Sequence, residues 1–120
     1  MQQIFVELYN YRPAWLSLDE AERRAFADGI LGAVGGLAEQ GVEVLGWGYN
    51  DPATDHRAPY DFFCVYRVPS AEFQRGFEAA IRESGWYGYF DQVAVSGTAL
   101  TPADLLAGNV ALQHPQPAAG

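Results

Sequence analysis

The chain has 120 residues, 49% of them apolar, and a formal net charge of −8. That length fits one domain with enough apolar surface to bury a core without disulfides or metals, and the apolar fraction excludes a disordered chain. With 7 Lys and Arg against 15 Asp and Glu, phosphate neutralisation on nucleic acid and docking on an anionic membrane are both disfavoured.

Ile4 to Tyr9 (IFVELY) alternates and is rich in β-formers, so it reads as the first strand. Ile4, Val6 and Leu8 fall on one face, and Phe5, Glu7 and Tyr9 on the other. Arg12-Pro13 breaks it. Ser17-Leu18-Asp19-Glu20 fits a capping box, with the Ser17 hydroxyl on the Glu20 amide and the Glu20 carboxylate reaching back. Phe26, Ile30, Ala33, Val34 and Leu37 follow at helical spacing, and Gly41 stops the helix. Gly29, Gly32, Gly35 and Gly36 each cost about 1 kcal/mol relative to Ala inside a helix. The expected compensation is close packing on a sheet, and the alternative is space left for something else.

Val42 to Tyr49 reads as the second strand, Asn50 to Pro59 as a connection with turn chemistry at Asp51-Pro52, and Tyr60 to Val68 as the third strand. Ser70 caps a second helix with the stripe Phe73, Phe77, Ala80, Ile81, which ends at Gly85. The fourth strand lies within Tyr87 to Thr98, centred on Phe90 to Ser96. Thr101-Pro102 opens a short last helix closed by Gly108. The domain is expected to span 1–108. The tail, 109–120, is expected to be mobile or docked on a partner subunit.

The order β-α-β-β-α-β predicts an α+β fold of ferredoxin-like type, a four-stranded antiparallel sheet with two helices on one face. Strands one and three are expected to run parallel, with two and four against them. Phe5, Tyr49, Asp61 and Ser96 would then share one edge, and Tyr9, Tyr11, Arg67, Trp86, Tyr87 and Tyr89 the other. Both faces of the third strand are apolar, so the free face is expected to pack against a second copy as a homodimer. Chain length, element order and two-sided strands resemble the dimeric α+β barrel superfamily. WGYNDPATDHRAPYDFF (Trp47 to Phe63) and GWYGYFDQVAVSG (Gly85 to Gly97) are similar to segments of an uncharacterised bacterial family in that superfamily. The resemblance implies the fold and dimerisation. The superfamily includes cofactor-free antibiotic-biosynthesis monooxygenases and muconolactone isomerase-like proteins, but no catalytic motif of theirs is present to transfer, and one fold hosts many chemistries.

The ten-residue connection is longer than a usual hairpin loop. Asp55-His56-Arg57 within it offers a base that titrates near neutrality beside a fixed cation, and Asp61 could orient His56 as a general base. The opposing reading is a solvated hairpin. Glu7, mid-strand among aromatics, is either a desolvated acid of raised pKa, or a carboxylate paired with Arg67 or pointing to solvent at an edge. The expected catalytic set is His56, Asp61, Tyr49 and Glu7. Tyr49 would donate to developing negative charge, and Arg57 would hold an anionic group. Tyr9, Trp47, Phe63 and Trp86 would wall the substrate pocket. Trp86, Tyr87, Tyr89 and Phe90 form an aromatic turn that serves core, dimer contact or a stacking wall.

No phosphate loop or dinucleotide fingerprint is present. With His56 and His114 the only histidines, neither a histidine-rich metal site nor haem through His56 is expected. The lone Cys64 excludes an intrachain disulfide and fits a reducing compartment, and Met1-Gln2-Gln3 lacks the basic start of a signal peptide. A cytoplasmic protein is therefore expected. Two functions remain open: a cofactor-free isomerase, lyase or monooxygenase acting on a small, partly aromatic molecule, and a non-catalytic dimer that binds a ligand or a protein.

Overall fold

The computed structural model describes residues 2–113. Strand β1 (Gln3–Tyr11) leads into a helical turn, α1 (Pro13–Leu16), and then α2 (Glu20–Val34). A 3-10 turn (Ala38–Gln40) precedes β2 (Glu43–Tyr49). After the long connection come β3 (Phe62–Val68), α3 (Ala71–Glu83), a second helical turn α4 (Trp86–Tyr89), β4 (Phe90–Thr98) and α5 (Pro102–Val110). The fold is α+β, with a four-stranded antiparallel sheet and five helices among the described residues.

Local chemistry explains most boundaries. Pro13 sits at the first position of α1, where its missing N–H costs nothing. Ser70 and Thr101 cap α3 and α5 through the amides of Phe73 and Asp104. The capping box of α2 lies two residues later than expected: Asp19 accepts from the Glu22 amide at 2.8 Å, and Glu22 accepts from the Asp19 amide at 3.0 Å. Ser17 instead closes α1, its hydroxyl donating to the Ala14 carbonyl. α2 ends at Val34, and Gly41 ends the following 3-10 turn in the left-handed region at φ 88°. α5 runs through Gly108 to Val110, and its Leu105, Leu106 and Val110 stay exposed. Of the expected mobile tail, residues 114–120 lie outside the described residues.

The sheet order is β2-β3-β1-β4. Both β2 and β1 run antiparallel to β3, and β4 runs antiparallel to β1. Strands one and two are therefore parallel, as are three and four. This corrects the expected strand sense: a crossover through a helix returns the chain to its starting end, so the strands it joins share a direction. Each crossover also skips one strand, β3 lying between β1 and β2, and β1 between β3 and β4.

The correction moves the edges. Tyr49, Asp61 and Phe62 share an edge with Tyr9, Tyr11 and Trp86, while Arg67 lies at the other end beside Glu43. Register fixes the faces. Phe5, Glu7 and Tyr9 lie opposite Tyr66, Cys64 and Phe62, and these six point toward α2 and α3. Ile4, Val6 and Leu8 share the outer face with Val65, Phe63, Val93 and Val95. No helix of the described residues covers that face, and Val95 is 67% exposed there.

Beneath the helices the core is aromatic. Phe5, Tyr9, Tyr66 and Phe90 are buried, each contributing roughly 1.5–3 kcal/mol if fully removed from water. α1 and α4 seal the sheet end that holds Tyr9: Trp15 lies 4.8 Å from Phe90 between ring centroids, and Trp86 lies 4.4 Å from it. The Trp86–Tyr89 turn therefore serves mainly as core. Gly85 opens it at φ 86°. Arg12 fastens it by donating to the Tyr87 carbonyl at 2.7 Å. Under α3, Gln3 donates to Gln74 and accepts from Thr98, so both buried amides are partnered.

Candidate active site

Between α2, α3 and the inner face of the sheet lies a cavity of about 740 Å³, a size suited to a small organic molecule. Tyr9, Cys64 and Tyr66 form its floor and Trp47 one side. Ile30, Ala33 and Val34 of α2 face Phe73, Phe77 and Ile81 of α3 across it, and Trp86 closes one end. The helical stripes that read as plain core in the sequence are the walls. The expected close packing of the α2 glycines on the sheet does not occur, since a Cβ at Gly29 or Gly32 would meet nothing within 4 Å. The α2 stripe rests on the cavity rather than on a filled core.

Glu7 lies beside this floor, directly across from Cys64 and two residues before Tyr9 on the same face. It is fully buried. The Tyr87 hydroxyl donates to its Oε2 at 3.1 Å, while Oε1 has no partner. Burial pushes its pKa above the ordinary carboxyl range. The hydroxyls of Tyr9 and Tyr87 pull it partly back, and the charge of Glu78 adds to the rise. The same burial, with the neighbouring Glu7 charge, raises the Tyr9 and Tyr87 hydroxyls. Burial also pushes the Cys64 thiol up to about 12, so at neutral pH it is an inert thiol. Arg67, the alternative partner for Glu7, lies on the outer face and pairs with Glu43.

Of the expected pocket walls, Tyr9, Trp47 and Trp86 line the cavity. Phe63 does not. It lies on the outer face, its ring over Gly48, where a Cβ would come within 2.8 Å of Cζ. The side-chain period of two separates it from its neighbour Cys64.

The expected loop chemistry is not assembled. His56 sits at the loop tip with φ 53°, its ring 92% exposed, and contacts Asp55 at 3.1 Å rather than Asp61. Asp61 is spent on backbone: its carboxylate accepts from the Tyr11 amide, and its own amide donates to the Tyr9 carbonyl. The Arg57 guanidinium donates to the Tyr60 and Asn50 carbonyls. Asn50 donates to the Ala58 and Tyr60 carbonyls at 2.9 Å each. The Tyr49 side chain is exposed. None of His56, Asp61, Tyr49 or Arg57 lines the cavity. The segment is a long connection tied by its own polar side chains, which supply the bonds that a two-residue hairpin turn would not need.

Sequence reasoning missed Tyr87 as the partner of Glu7, and Cys64 and Tyr66 as floor. Their signal was present in the alternation of the third strand, but joining it to Glu7 required the register. Among the described residues, no group of three or more His, Cys, Asp or Glu is placed to hold a metal ion, and no helix is long and apolar enough to cross a membrane.

No curated protein and no solved structure matches the chain. A family model matches residues 2–112, spanning both strands of the cavity floor, both helical walls and the Trp86–Tyr87 turn. The chain belongs to that family, described as a family of unknown function, DUF6616.

Proposed function

We propose that the protein is a cofactor-independent small-molecule enzyme in which Glu7 moves a proton to or from a substrate held in the aromatic cavity. The observation that carries this reading is a fully buried carboxyl with one unpartnered oxygen beside a cavity of about 740 Å³. Burial raises the Glu7 pKa, which moves the carboxyl toward the range in which it serves as a general acid or base. Tyr87 fixes its orientation through Oε2, which leaves Oε1 as the reacting atom. Isomerisation and lyase chemistry are the classes that need one such group. His56 and Asp61 have no part in this proposal.

The working unit we propose is a ferredoxin-like homodimer of the dimeric α+β barrel kind. Two crossovers that each skip one strand support the scaffold. The uncovered apolar row of Ile4, Val6, Leu8, Phe63, Val65, Val93 and Val95 supports a partner sheet on the outer face.

The test begins with native mass spectrometry of the purified protein to identify a co-purified molecule. That molecule is then incubated in D2O with the wild type and with Glu7→Gln. The expected outcome is deuterium entering the ligand only with the wild type, while both proteins bind it. Equal exchange with both proteins, or none with either, leaves the binding-module reading in place of the enzyme.

A further inference from the structure

The cavity's ligand class follows from which charges and polar atoms surround it, and this step rests on the proposed use of that cavity. Its lining contains no Arg or His, and the chain contains no Lys. Six of the seven Arg side chains are engaged elsewhere: Arg12 with Tyr87 and Asp91, Arg23 with Leu18, Arg24 with Glu20, Arg57 in the long loop, Arg67 with Glu43 and Arg75 with Glu78. The remaining one, Arg82, is not among the lining residues. The carboxyl groups close by are Glu72 in the lining, Glu7 beside the floor and Glu78 near Glu7. An anionic ligand seated against these apolar walls would give up hydration and meet no counter-charge.

Two buried polar atoms lack partners among the described residues, Glu7 Oε1 and Trp86 Nε1. Trp86 lines one end of the cavity, and Glu7 lies near that end behind the floor, outside the lining. Tyr87, next to Trp86, donates to Glu7 at 3.1 Å. The Trp86 ring is 5.5 Å from that of Tyr9, the next residue after Glu7 on the inner face. Trp Nε1–H can only donate. An unpartnered buried donor calls for an acceptor oxygen.

We propose that the cavity selects an uncharged, largely apolar molecule bearing a carbonyl-type oxygen, which is seated at the Trp86 end, and that it rejects carboxylates of the same shape. The aromatic walls take the body of the ligand, and Trp86 Nε1–H takes the oxygen.

Four probes sharing one body test this: 2-acetylnaphthalene, 2-ethylnaphthalene, 2-naphthoate and 2-naphthylmethylammonium. Binding is read by quenching of Trp47 and Trp86 fluorescence and by calorimetry at pH 7.5. The ketone is expected to bind about tenfold tighter than the hydrocarbon, one buried hydrogen bond to a donor being worth about that factor. The naphthoate is expected to bind at least tenfold more weakly than the ketone. Trp86→Phe should erase the advantage of the ketone and leave the hydrocarbon unchanged, and the C=O stretch of the bound ketone should shift down in the wild type only. Equal binding of ketone and hydrocarbon, or tightest binding by the carboxylate or the ammonium probe, overturns the ligand class while leaving the cavity a binding site. Failure of all four probes to bind overturns the use of the cavity itself, and this inference with it.

Discussion

Replacing Tyr87 with Phe removes one oxygen and leaves the ring packing in place, so it isolates the bond from Tyr87 to Glu7 Oε2 at 3.1 Å. Burial raises the Glu7 pKa, so below its folded value the carboxyl is neutral, and a neutral hydrogen bond is worth roughly 0.5–1.5 kcal/mol. Above the folded pKa the carboxylate is charged, and the same bond is worth roughly 1.5–3 kcal/mol. A raised acid stabilises fully below its unfolded value and loses that contribution as pH rises through the folded value. The Tyr87 hydroxyl pulls the Glu7 pKa down, so its removal carries that loss to higher pH. For 120 residues the unfolding entropy is about 0.25 kcal/mol/K, so each kcal/mol moves Tm by about 4 °C. Tyr87→Phe should lower Tm by roughly 2–6 °C at a pH on the acid side of the Glu7 titration and roughly 6–12 °C at a pH on its alkaline side, as followed by circular dichroism at fixed protein concentration. In a Glu7→Gln background the difference between the two pH values should vanish. An equal drop at both pH values, or a pH dependence that survives Glu7→Gln, would show that the bond does not act through the Glu7 charge.

Four further outcomes follow from the geometry. Wild-type protein is expected to sediment at twice the monomer mass and Val95→Asp at the monomer mass with unchanged circular dichroism; a wild-type monomer refutes the homodimer. Gly48→Ala places a Cβ within 2.8 Å of Phe63 Cζ and should cost about 1–3 kcal/mol in urea unfolding. Phe63→Leu in the same chain should return part of that, and no cost in the single variant would mean that the ring is not held over Gly48. Asn50→Ala loses two carbonyl contacts at 2.9 Å and should cost about 1–3 kcal/mol and open the loop to limited proteolysis. His56→Asn, which tolerates the same positive φ, should change stability by less than about 0.5 kcal/mol and leave probe binding unaltered; a larger effect of the second variant would return His56 to the site.

The strands and most helix starts were legible because they rest on local chemistry. IFVELY alternates on its own, and Ser70 and Thr101 each find a backbone amide three residues on. The α2 cap was misplaced because Ser17-x-x-Glu20 and Asp19-x-x-Glu22 both satisfy the pattern, and the helical turn at Pro13 decides between them. The inner placement of Glu7 beside Tyr9 was readable from period-two alternation. Joining Phe63 to them was an error of register, which depends on hydrogen bonds between strands far apart in the chain. The loop misled for a different reason. Asn50, Arg57 and Asp61 are the residue types of an active site, yet the same groups satisfy backbone carbonyls and amides, and only geometry separates the two uses.

The alternation in β1 and β3 gives one sheet two nearly independent assignments. Leu8 and Tyr9 are covalent neighbours, as are Phe63 and Cys64, but the first of each pair belongs to the outer face and the second to the cavity. Substitutions at odd-numbered β1 positions and even-numbered β3 positions can reshape what the cavity accepts, and those at the intervening positions can reshape what the outer face meets. Two traits carried on one pair of strands can therefore diverge separately under selection, and a family built on this sheet can change its ligand without renegotiating its surface.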